Sequence, residues 1–332
     1  MMDRPTLHVV SLSGGKDSTA TLCMAIEEHG RENVRAVMAD TGNEHEQNLE
    51  YALDYLPRAL GLAVEVVRAD FTDEIAVKRA KLARIAAGEP ESAVYGRRVF
   101  AYQWTQEAAA RAVDLLEPTG VPFLDLCLLR GGFPSKKRQF CTDELKTKPL
   151  TAYAIERIDE GFAVWSWQGV RIDESESRKN RLQGTGACVK SFEELGGGLF
   201  INRPILRWNV ADVFEAHDAA GIRPNPLYLQ GCSRVGCFTC INADKAEIAL
   251  AARRFPHHIE KIAKMERIVA GVSRPGSPAC FFHPGTVPGE VRARDVWEVV
   301  EWAKTTRGGR QYDLLADAEP ATACASAYGL CE

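Results

Sequence analysis

The chain has 332 residues, of which 45% are hydrophobic and 26% charged, and its formal net charge is -4 at pH 7. These proportions are ordinary for a globular protein and exclude a disordered or fibrous chain. They also exclude a basic field over the whole surface, although a local basic groove for nucleic acid stays open. The chain has no apolar stretch near the ~18 residues of a membrane helix and no signal-peptide layout at its start. We therefore expect a cytoplasmic protein without a membrane partner.

Strands and helices alternate along the first two thirds of the chain. Hydrophobic runs predict strands at 7–12, 34–39, 63–67 and 162–168. Helical spacing predicts helices at 19–29, 44–60, 73–87, 98–117, 142–158 and 210–220. The charged segment 173–186 is expected to be a loop. The alternation favours an α/β fold with a doubly wound, mostly parallel sheet.

The last part of the chain changes character. Beyond the strands, helical patterns dominate at 243–254, 257–270 and 291–305. We therefore expect two parts, an α/β domain at 1–240 and a helical C-terminal extension at 241–332 whose tail contains cysteines.

A glycine-rich turn follows the first strand. Its residues are Ser13, Gly14, Gly15, Lys16, Asp17 and Ser18. The two glycines let the backbone approach a phosphate, and the N–H groups and dipole of the following helix favour anions. Lys16 adds a positive charge, and the two serine hydroxyls can donate hydrogen bonds. The spacing matches neither the Walker loop nor the dinucleotide-binding pattern. The alternative is a plain strand-to-helix turn, but the context favours nucleotide binding.

The second predicted strand ends in Asp40, Thr41 and Gly42. In open parallel sheets, ligands bind beyond the carboxyl ends of the strands. Asp40 is therefore placed to contact ribose, adenine or Mg²⁺, and we assign all three residues to the nucleotide site. The alternative is a turn that caps the next helix, and the backbone geometry of such a turn alone would explain Gly42.

Three cysteines in the second half of the chain have the spacing C-x4-C-x2-C, at Cys232, Cys237 and Cys240. A fourth ligand is needed, and Cys141 is the best candidate because a thiolate is favoured in a basic loop at a helix start. Four thiolates suit either a [4Fe–4S] cluster or structural Zn²⁺, and the spacing alone does not choose between them.

The remaining cysteines carry weaker expectations. Cys23 lies on an apolar helix face and is expected in the core. Cys127 lies in an apolar run and is also expected in the core, with a role as reserve ligand held open. For Cys324 and Cys331, near the terminus, three roles stay open: a redox pair, a mobile nucleophile, or part of a docked structural end.

With these motifs together, the sequence resembles the phosphoadenosine phosphosulfate (PAPS) reductase family, within the PP-loop ATP pyrophosphatase group. The matching motifs in order are SGGKDS at 13–18, DTG at 40–42, RxFCTxxLKxxP at 138–149, WxGxRxxESxxR at 167–178, PIxxW at 204–208 and NPLY at 225–228. The match spans residues 5–255. The resemblance implies a five-stranded type of α/β nucleotide-binding domain and cleavage of ATP between its α and β phosphates.

The resemblance also implies roles for particular residues. Cluster-bearing members hold [4Fe–4S] with four cysteines, which by position are Cys141, Cys232, Cys237 and Cys240, so Zn²⁺ becomes the less favoured metal.

In the family, the segment that matches Arg171 lies over the nucleotide. Guanidinium groups pair bidentately with phosphate or sulfate, so we place Arg171 and Arg178, together with Gly169, at the nucleotide site. We assign catalytic roles to Lys16, Asp17 and Arg171. The alternative is a solvated charged loop in which the arginines pair with neighbouring glutamates.

Two departures from the family pattern direct the functional hypothesis. Members that reduce APS or PAPS usually lack the Gly-Gly-Lys triplet, which is intact here. They also attack sulfate with a cysteine in a C-terminal Glu-Cys-Gly-Leu-His motif, whereas this chain ends in Tyr-Gly-Leu-Cys331-Glu. The intact loop and four cysteines look closer to the sulfur-transfer members, such as the DNA phosphorothioation enzymes and the tRNA thiolases.

We therefore expect an enzyme that cleaves ATP to AMP and pyrophosphate with Mg²⁺, activates a substrate and takes part in sulfur transfer. Candidate acceptors are DNA or RNA, a cysteine desulfurase is a candidate sulfur donor, and a homodimer is compatible with the sequence. One alternative is an APS or PAPS reductase that uses Cys331 as catalytic nucleophile and thioredoxin as electron donor. The other is a zinc-stabilised nucleotide- or nucleic-acid-binding adaptor without turnover.

Overall fold

A computed structural model describes residues 4–91, 94–95, 98–99, 103–174, 176–182, 190–191, 198–275, 279–282, 295–306 and 311–312. The strands are β1 Thr6–Leu12, β2 Val34–Ala39, β3 Val64–Val67, β4 Val94–Tyr95, β5 Arg98–Val99, β6 Ala163–Gln168, β7 Lys190–Ser191, β8 Leu199–Asn202, β9 Thr305–Thr306 and β10 Gln311–Tyr312.

The helices occupy both halves of the chain. They are α1 Lys16–His29, α2 Glu46–Glu50, α3 Leu56–Leu60, α4 Thr72–Ala86, α5 Gln106–Leu115, α6 Pro122–Arg130, α7 Phe140–Thr142, α8 Lys148–Asp159, α9 Glu176–Leu182, α10 Val210–Ala219, α11 Pro226–Leu229, α12 Lys245–Arg254, α13 Pro256–Gly271 and α14 Val296–Ala303. Single π-helical turns join α2 to α3 at Tyr51–Tyr55 and α7 to α8 at Asp143–Thr147. No helix in the described ranges is both long enough and apolar enough to span a membrane.

The main sheet has the order β3-β2-β1-β6-β8, all parallel, with the short β7 antiparallel to β8 at its edge. β1 is the central strand, and Val10 pairs with Ala36 on one side and Trp167 on the other. Successive side chains of a strand point to opposite faces. Accordingly Val10 packs in the core that contains Leu22 of α1. The prediction of a doubly wound α/β fold, with a mostly parallel sheet, is confirmed.

The opposite face of the sheet is also covered. There Leu7 and Val9 of β1 pack with Tyr153 and Ala154 of α8. Parallel sheets that are buried on both faces need continuous apolar strands, and the burial of β1 from Leu7 to Val10 meets that requirement.

A third apolar core lies beside the sheet and joins the two parts of the chain. It contains Leu126 of α6, Ile259 and Val269 of α13, and Val300 of α14. It also contains Phe238 of the segment 232–240, which carries three of the cysteines and is called the cysteine segment below. The hydrophobic core therefore continues across residue 241, and the helical extension packs against α5 and α6.

Two sequence-based expectations were wrong. The helix expected at 98–117 begins only at Gln106, because Arg98–Val99 forms a strand that pairs with β4. The loop expected at 173–186 contains α9. That helix is polar except for Leu182 at its end, so it shows no amphipathic period. The i,i+4 ion pair between Glu174 and Arg178 supports it instead.

Candidate nucleotide and cysteine site

Close contacts require glycine at Gly14 of the loop and at Gly169, which packs against it. Gly14 has φ +72°, and a Cβ there would lie 2.2 Å from Asn48 Oδ1. A Cβ at Gly169 would lie 2.8 Å from the backbone carbonyl of Asp17. Glycine therefore lets the end of β6 pass directly against the start of α1, which brings the WxGxR motif to the loop.

Side chains from distant segments hold the carbonyl groups of this loop. Asn48 Nδ2 donates to the Ser13 carbonyl at 3.0 Å, and Asn225 Nδ2 donates to the Gly14 carbonyl at 3.0 Å. Asn225 Nδ2 also reaches Asn48 Oδ1 at 2.9 Å. The imidazole of the buried His217 lies 2.8 Å from the carbonyl of Lys16. These hydrogen bonds from distant side chains therefore fix the conformation of the loop.

The first backbone N–H groups of α1 are hydrogen-bond donors at the loop. The backbone N–H of Lys16 donates to the Tyr228 hydroxyl at 2.9 Å. The backbone N–H groups of Asp17 and Ser18, by contrast, make no hydrogen bond to any residue that the structure describes. Orphan N–H groups at the positive end of a helix dipole are an anion-binding site. Our assignment of residues 13–18 to a phosphate site remains a prediction that this geometry suits.

Asp17 lies between two cations. Its Oδ2 is 3.0 Å from Lys16 Nζ, and its Oδ1 accepts a hydrogen bond from Arg171 Nε. Arg171 is 2% exposed and also bonds Asp173. Burial disfavours the guanidinium charge, but the two carboxylates outweigh burial and raise the pKa of Arg171. Arg171 therefore positions Asp17, and a phosphate reaching Lys16 would compete with that carboxylate.

Arg178 is half-buried and pairs with Glu174 on the preceding turn. This is the arrangement expected of a charged surface segment, and it leaves the predicted anion contact of Arg178 as a prediction.

The end of β2 forms a tight turn. Asp40 Oδ1 accepts the backbone N–H of Gly42 at 2.8 Å, and Asp40 Oδ2 lies 3.1 Å from Arg68 Nε. Gly42 has φ +73°, and a Cβ there would lie 2.8 Å from the side chain of Val121. These contacts account for the residue types as turn formers, whereas the nucleotide contacts expected of Asp40, Thr41 and Gly42 remain predictions.

The cysteine segment docks on this same turn. Thr41 Oγ1 donates to Glu44 Oε1 at 2.7 Å and lies 3.4 Å from Cys237 Sγ. The backbone N–H of Phe238 donates to the Asn43 carbonyl at 2.6 Å. Burial raises the pKa of Glu44. One of the four predicted metal ligands therefore lies beside a strand end assigned to nucleotide binding.

Three of the four cysteines line one cavity, namely Cys232, Cys237 and Cys240. Burial, together with the neighbouring thiols of Cys237 and Cys240, raises the pKa of Cys141 to about 11. Burial raises the pKa of Cys232 to about 12, and the Glu247 carboxylate beside it acts in the same direction. The thiols of Cys237 and Cys240 are therefore near enough to influence Cys141 electrostatically, and Cys232 lines the cavity that those two share.

The spacing of these thiols bears on the metal they fit. A tetrahedral Zn²⁺ with bonds of ~2.3 Å would hold its sulfurs roughly 3.8 Å apart. Among the described residues, no three thiols have their sulfur atoms all within 4.8 Å of one another. The preference for a [4Fe–4S] cluster over Zn²⁺ remains a prediction.

Two further residues adjoin the thiols. Lys146 is half-buried, and the Cys237 thiolate, followed by the Glu44 carboxylate, raises its pKa. Cys127 is fully buried, as predicted, and burial together with the neighbouring Cys141 raises its pKa well above the usual range. Cys23 is likewise in the core.

Our list of site residues omitted several of these contacts. Lys146, Asn225 and Tyr228 lie within the family motifs, which were the available signal. Asn48 and Glu44 had none, because a lone polar residue in a predicted helix is usually solvated. Cys331, predicted as a nucleophile, and Cys188 and Cys324 lie outside the described residues.

Known proteins share sequence similarity with this chain. Residues 129–243 match the family model of the phosphoadenosine phosphosulfate reductase domain. The uncharacterized 37.8 kDa protein of Escherichia phage 186 is 43% identical over 346 aligned positions, which cover 98% of this chain and 97% of the phage protein.

Shorter or more distant similarities were also found. The adenosine 5'-phosphosulfate reductase of Streptomyces coelicolor is 34% identical over 100 residues, 30% of this chain and 37% of that enzyme. The PAPS reductase of Candida auris, solved with phosphate, aligns with a TM-score of 0.37 and 13% identity over 70% of this chain and 81% of that one. The matched domain contains Cys141, Cys232, Cys237 and Cys240. The chain belongs to the PAPS reductase family of the PP-loop superfamily.

Proposed function

We propose that the protein binds ATP, cleaves it to AMP and pyrophosphate to activate a substrate, and takes part in sulfur transfer at an adjoining four-cysteine [4Fe–4S] site. One observation carries this proposal. The intact loop at 13–18 has two N–H groups at the start of α1 that bond to no residue in the described ranges, and Tyr228, which binds that loop, leads directly into the cysteine segment that contacts Thr41.

Different groups of the loop bind the phosphates of ATP and stabilise the leaving pyrophosphate. The N–H groups of Asp17 and Ser18 bind oxygens of the β and γ phosphates. Lys16, with Mg²⁺ as co-reactant, stabilises the charge that develops on the departing pyrophosphate. An acceptor oxygen attacks the α-phosphorus, the bond to the bridging oxygen of the β-phosphate breaks, and pyrophosphate leaves. Arg171 acts as a positioning residue because it orients Asp17.

At the second site, Cys141, Cys232, Cys237 and Cys240 would hold the cluster. When bound, it supplies thiolate-ligated iron that can bind sulfur or serve as a structural centre. Lys146 places a positive charge beside Cys237, which favours the deprotonated form of a ligand thiol. Glu44 and Thr41 connect this thiol to the end of β2. The activated acceptor is a nucleic acid, DNA or RNA, and a cysteine desulfurase supplies the sulfur.

A second candidate is reduction of a sulfonucleotide. The identity with the Streptomyces coelicolor adenosine 5'-phosphosulfate reductase over 100 residues favours it. In that reaction Cys331 would attack the sulfur of APS or PAPS, AMP or its 3′-phosphate would leave, and thioredoxin would reduce the resulting enzyme S-sulfonate to release sulfite.

Product analysis of the anaerobically purified full chain separates the candidates. AMP and pyrophosphate formed from ATP, with turnover raised by DNA or tRNA, would support adenylation and sulfur transfer. Sulfite formed from APS or PAPS, and lost when the chain is truncated before Cys324, would support reduction. ATP binding without either product, in a colourless protein with one zinc, would contradict both and favour an adaptor.

A further inference from the structure

A second cluster of metal-binding side chains lies outside the nucleotide and cysteine site, where α2 meets α13. Its centre is the Oε2 atom of Glu46. That atom lies 3.0 Å from His258 Nε2, 3.5 Å from His45 Nδ1 and 3.8 Å from His257 Nε2. Ligand atoms of His45, Glu46 and His258 all lie within 4.8 Å of one another.

The spacing around Glu46 is that of ligands around an ion. A tetrahedral ion with bonds of ~2.0–2.1 Å to nitrogen and oxygen holds its donor atoms about 3.4 Å apart. The three distances to Glu46 Oε2 bracket this value. The His258 distance is also that of a hydrogen bond, but those to His45 and His257 are longer than a normal hydrogen bond.

The two inner imidazoles, of His45 and His258, are held in place by aromatic packing. Phe238 packs edge-on against both rings, with centroids 4.9 Å away in each case. Such packing fixes the ligand orientation before an ion arrives.

The two nitrogens of each inner imidazole differ in their contacts. His45 Nε2 and His258 Nδ1, which are not the ring nitrogens closest to Glu46 Oε2, are buried and make no hydrogen bond to any described residue. His45 Nδ1 accepts the backbone N–H of Gln47 at 3.1 Å, which caps α2. His45 would give up this bond to coordinate an ion, whereas Glu46 and His257 are exposed and adjustable.

We propose that His45, Glu46 and His258 bind a divalent transition-metal ion, with the exposed His257 as the fourth ligand. Imidazole and carboxylate are the donors that Zn²⁺, Co²⁺ and Ni²⁺ accept. This set contains no thiol, so it differs in chemistry from the four cysteines. The ion would link the nucleotide-binding part of the chain to the helical extension.

Cobalt provides a direct test because its spectrum reports the ligand type. Co²⁺ is added to the full-length protein, freed of any polyhistidine tag, and difference spectra are recorded. We expect one equivalent to bind with visible ligand-field bands and no additional thiolate-to-cobalt charge-transfer band. The single variants E46Q and H257A should each weaken the affinity at least about tenfold. E50Q, which changes an exposed glutamate of the same helix, should bind as the unchanged protein does.

The variants also give a readout that does not depend on colour. Saturating Co²⁺ should raise the melting temperature of the unchanged protein and of E50Q, because a ligand that binds only the folded state stabilises it. The rise should be smaller in E46Q and H257A, whose exposed side chains are expected to leave the metal-free melting temperature unchanged. Equal affinity in all four proteins, thiolate bands alone, or no binding would each overturn the proposal.

Discussion

The phosphate loop and the cysteine segment are neighbours, yet the chain builds them in different ways. Three carbonyl groups of the loop region, on Ser13, Gly14 and Lys16, are held by side chains from elsewhere in the fold. The thiols have weaker support, chiefly the Thr41 hydroxyl near Cys237 and the backbone N–H of Asn242 at 3.4 Å from Cys240 Sγ.

This difference bears on how each predicted site would bind its ligand. The loop at 13–18 is held in shape by the fold itself, so binding of an anion there would need little reorganisation. Burial raises the pKa values of the thiols of Cys141 and Cys232 well above neutral pH. Thiols must lose their protons to bind metal, so metal binding at the predicted cysteine site would be coupled to folding.

The strongest test of the loop at 13–18 is removal of its cation. K16A should lower the rate of pyrophosphate release from ATP about a hundredfold or more, because the charge on the leaving group loses its stabilising partner. The folded state should persist, since Arg171 remains paired with Asp17. Pyrophosphate release under saturating ATP measures the effect.

The matched control is K264A, which removes an exposed lysine from α13. It should release pyrophosphate at the rate of the unchanged protein. If K16A kept that rate as well, the loop at 13–18 would not serve the leaving pyrophosphate.

The cysteine segment can be tested by a single oxygen-for-sulfur change. C237S should lose most of the bound iron and sulfide and should melt at a lower temperature, because metal binding contributes directly to the stability of such sites. Iron and acid-labile sulfide per chain are the measurement. C23A, in the core beside β1, should keep the full iron content. Equal iron in both variants would exclude Cys237 as a ligand.

A third change weakens the scaffold of the loop without touching its charges. N225A removes the donor to the Gly14 carbonyl and to Asn48, and leaves buried polar groups unpaired. We expect a loss of about 1–3 kcal/mol in unfolding free energy and a higher KM for ATP. Denaturant titration and steady-state kinetics measure the two effects.

The comparison variant is N33A, whose amide donates only to the His29 carbonyl at the surface. It should change neither stability nor KM appreciably. A KM for N225A equal to that of N33A would show that the loop keeps its shape without Asn225.

The sheet and its order of elements follow from patterns that the sequence displays. β2 has the predicted bounds, 34–39, because a short apolar run between turn residues has few other structures open to it. Helix α6 was missed because 123–129 is apolar except for the buried Asp125 and so has no amphipathic period. Its helical state depends on Pro122 at the start and on Gly131, which ends it with φ +64°.

For the candidate site, too, the sequence reveals some residues and not others. Residues that we predict to touch a ligand directly, such as Lys16 and the four cysteines, fall in recognisable motifs. Residues that shape the site through tertiary contacts do not. Asn48 reaches Ser13 from 35 positions away, and nothing local in its helix marks that role. Likewise, the sequence shows that Arg171 is a cation, but it does not show that Asp17 and Asp173 form ion pairs with it.

The smallest expected effect concerns Asp40, where the turn-forming and ligand-binding roles can be separated. In D40N the amide oxygen can still accept the Gly42 N–H, so the turn persists and only the ion pair with the half-exposed Arg68 is lost. An ion pair near the surface contributes less than about 1 kcal/mol, so the unfolding free energy should hardly change. If Asp40 also contacts ribose, adenine or Mg²⁺, ATP affinity should fall several-fold, whereas R68A, which removes the same ion pair from the other side, should leave it unaltered. Equal ATP affinity in D40N and R68A would show that Asp40 serves the turn alone.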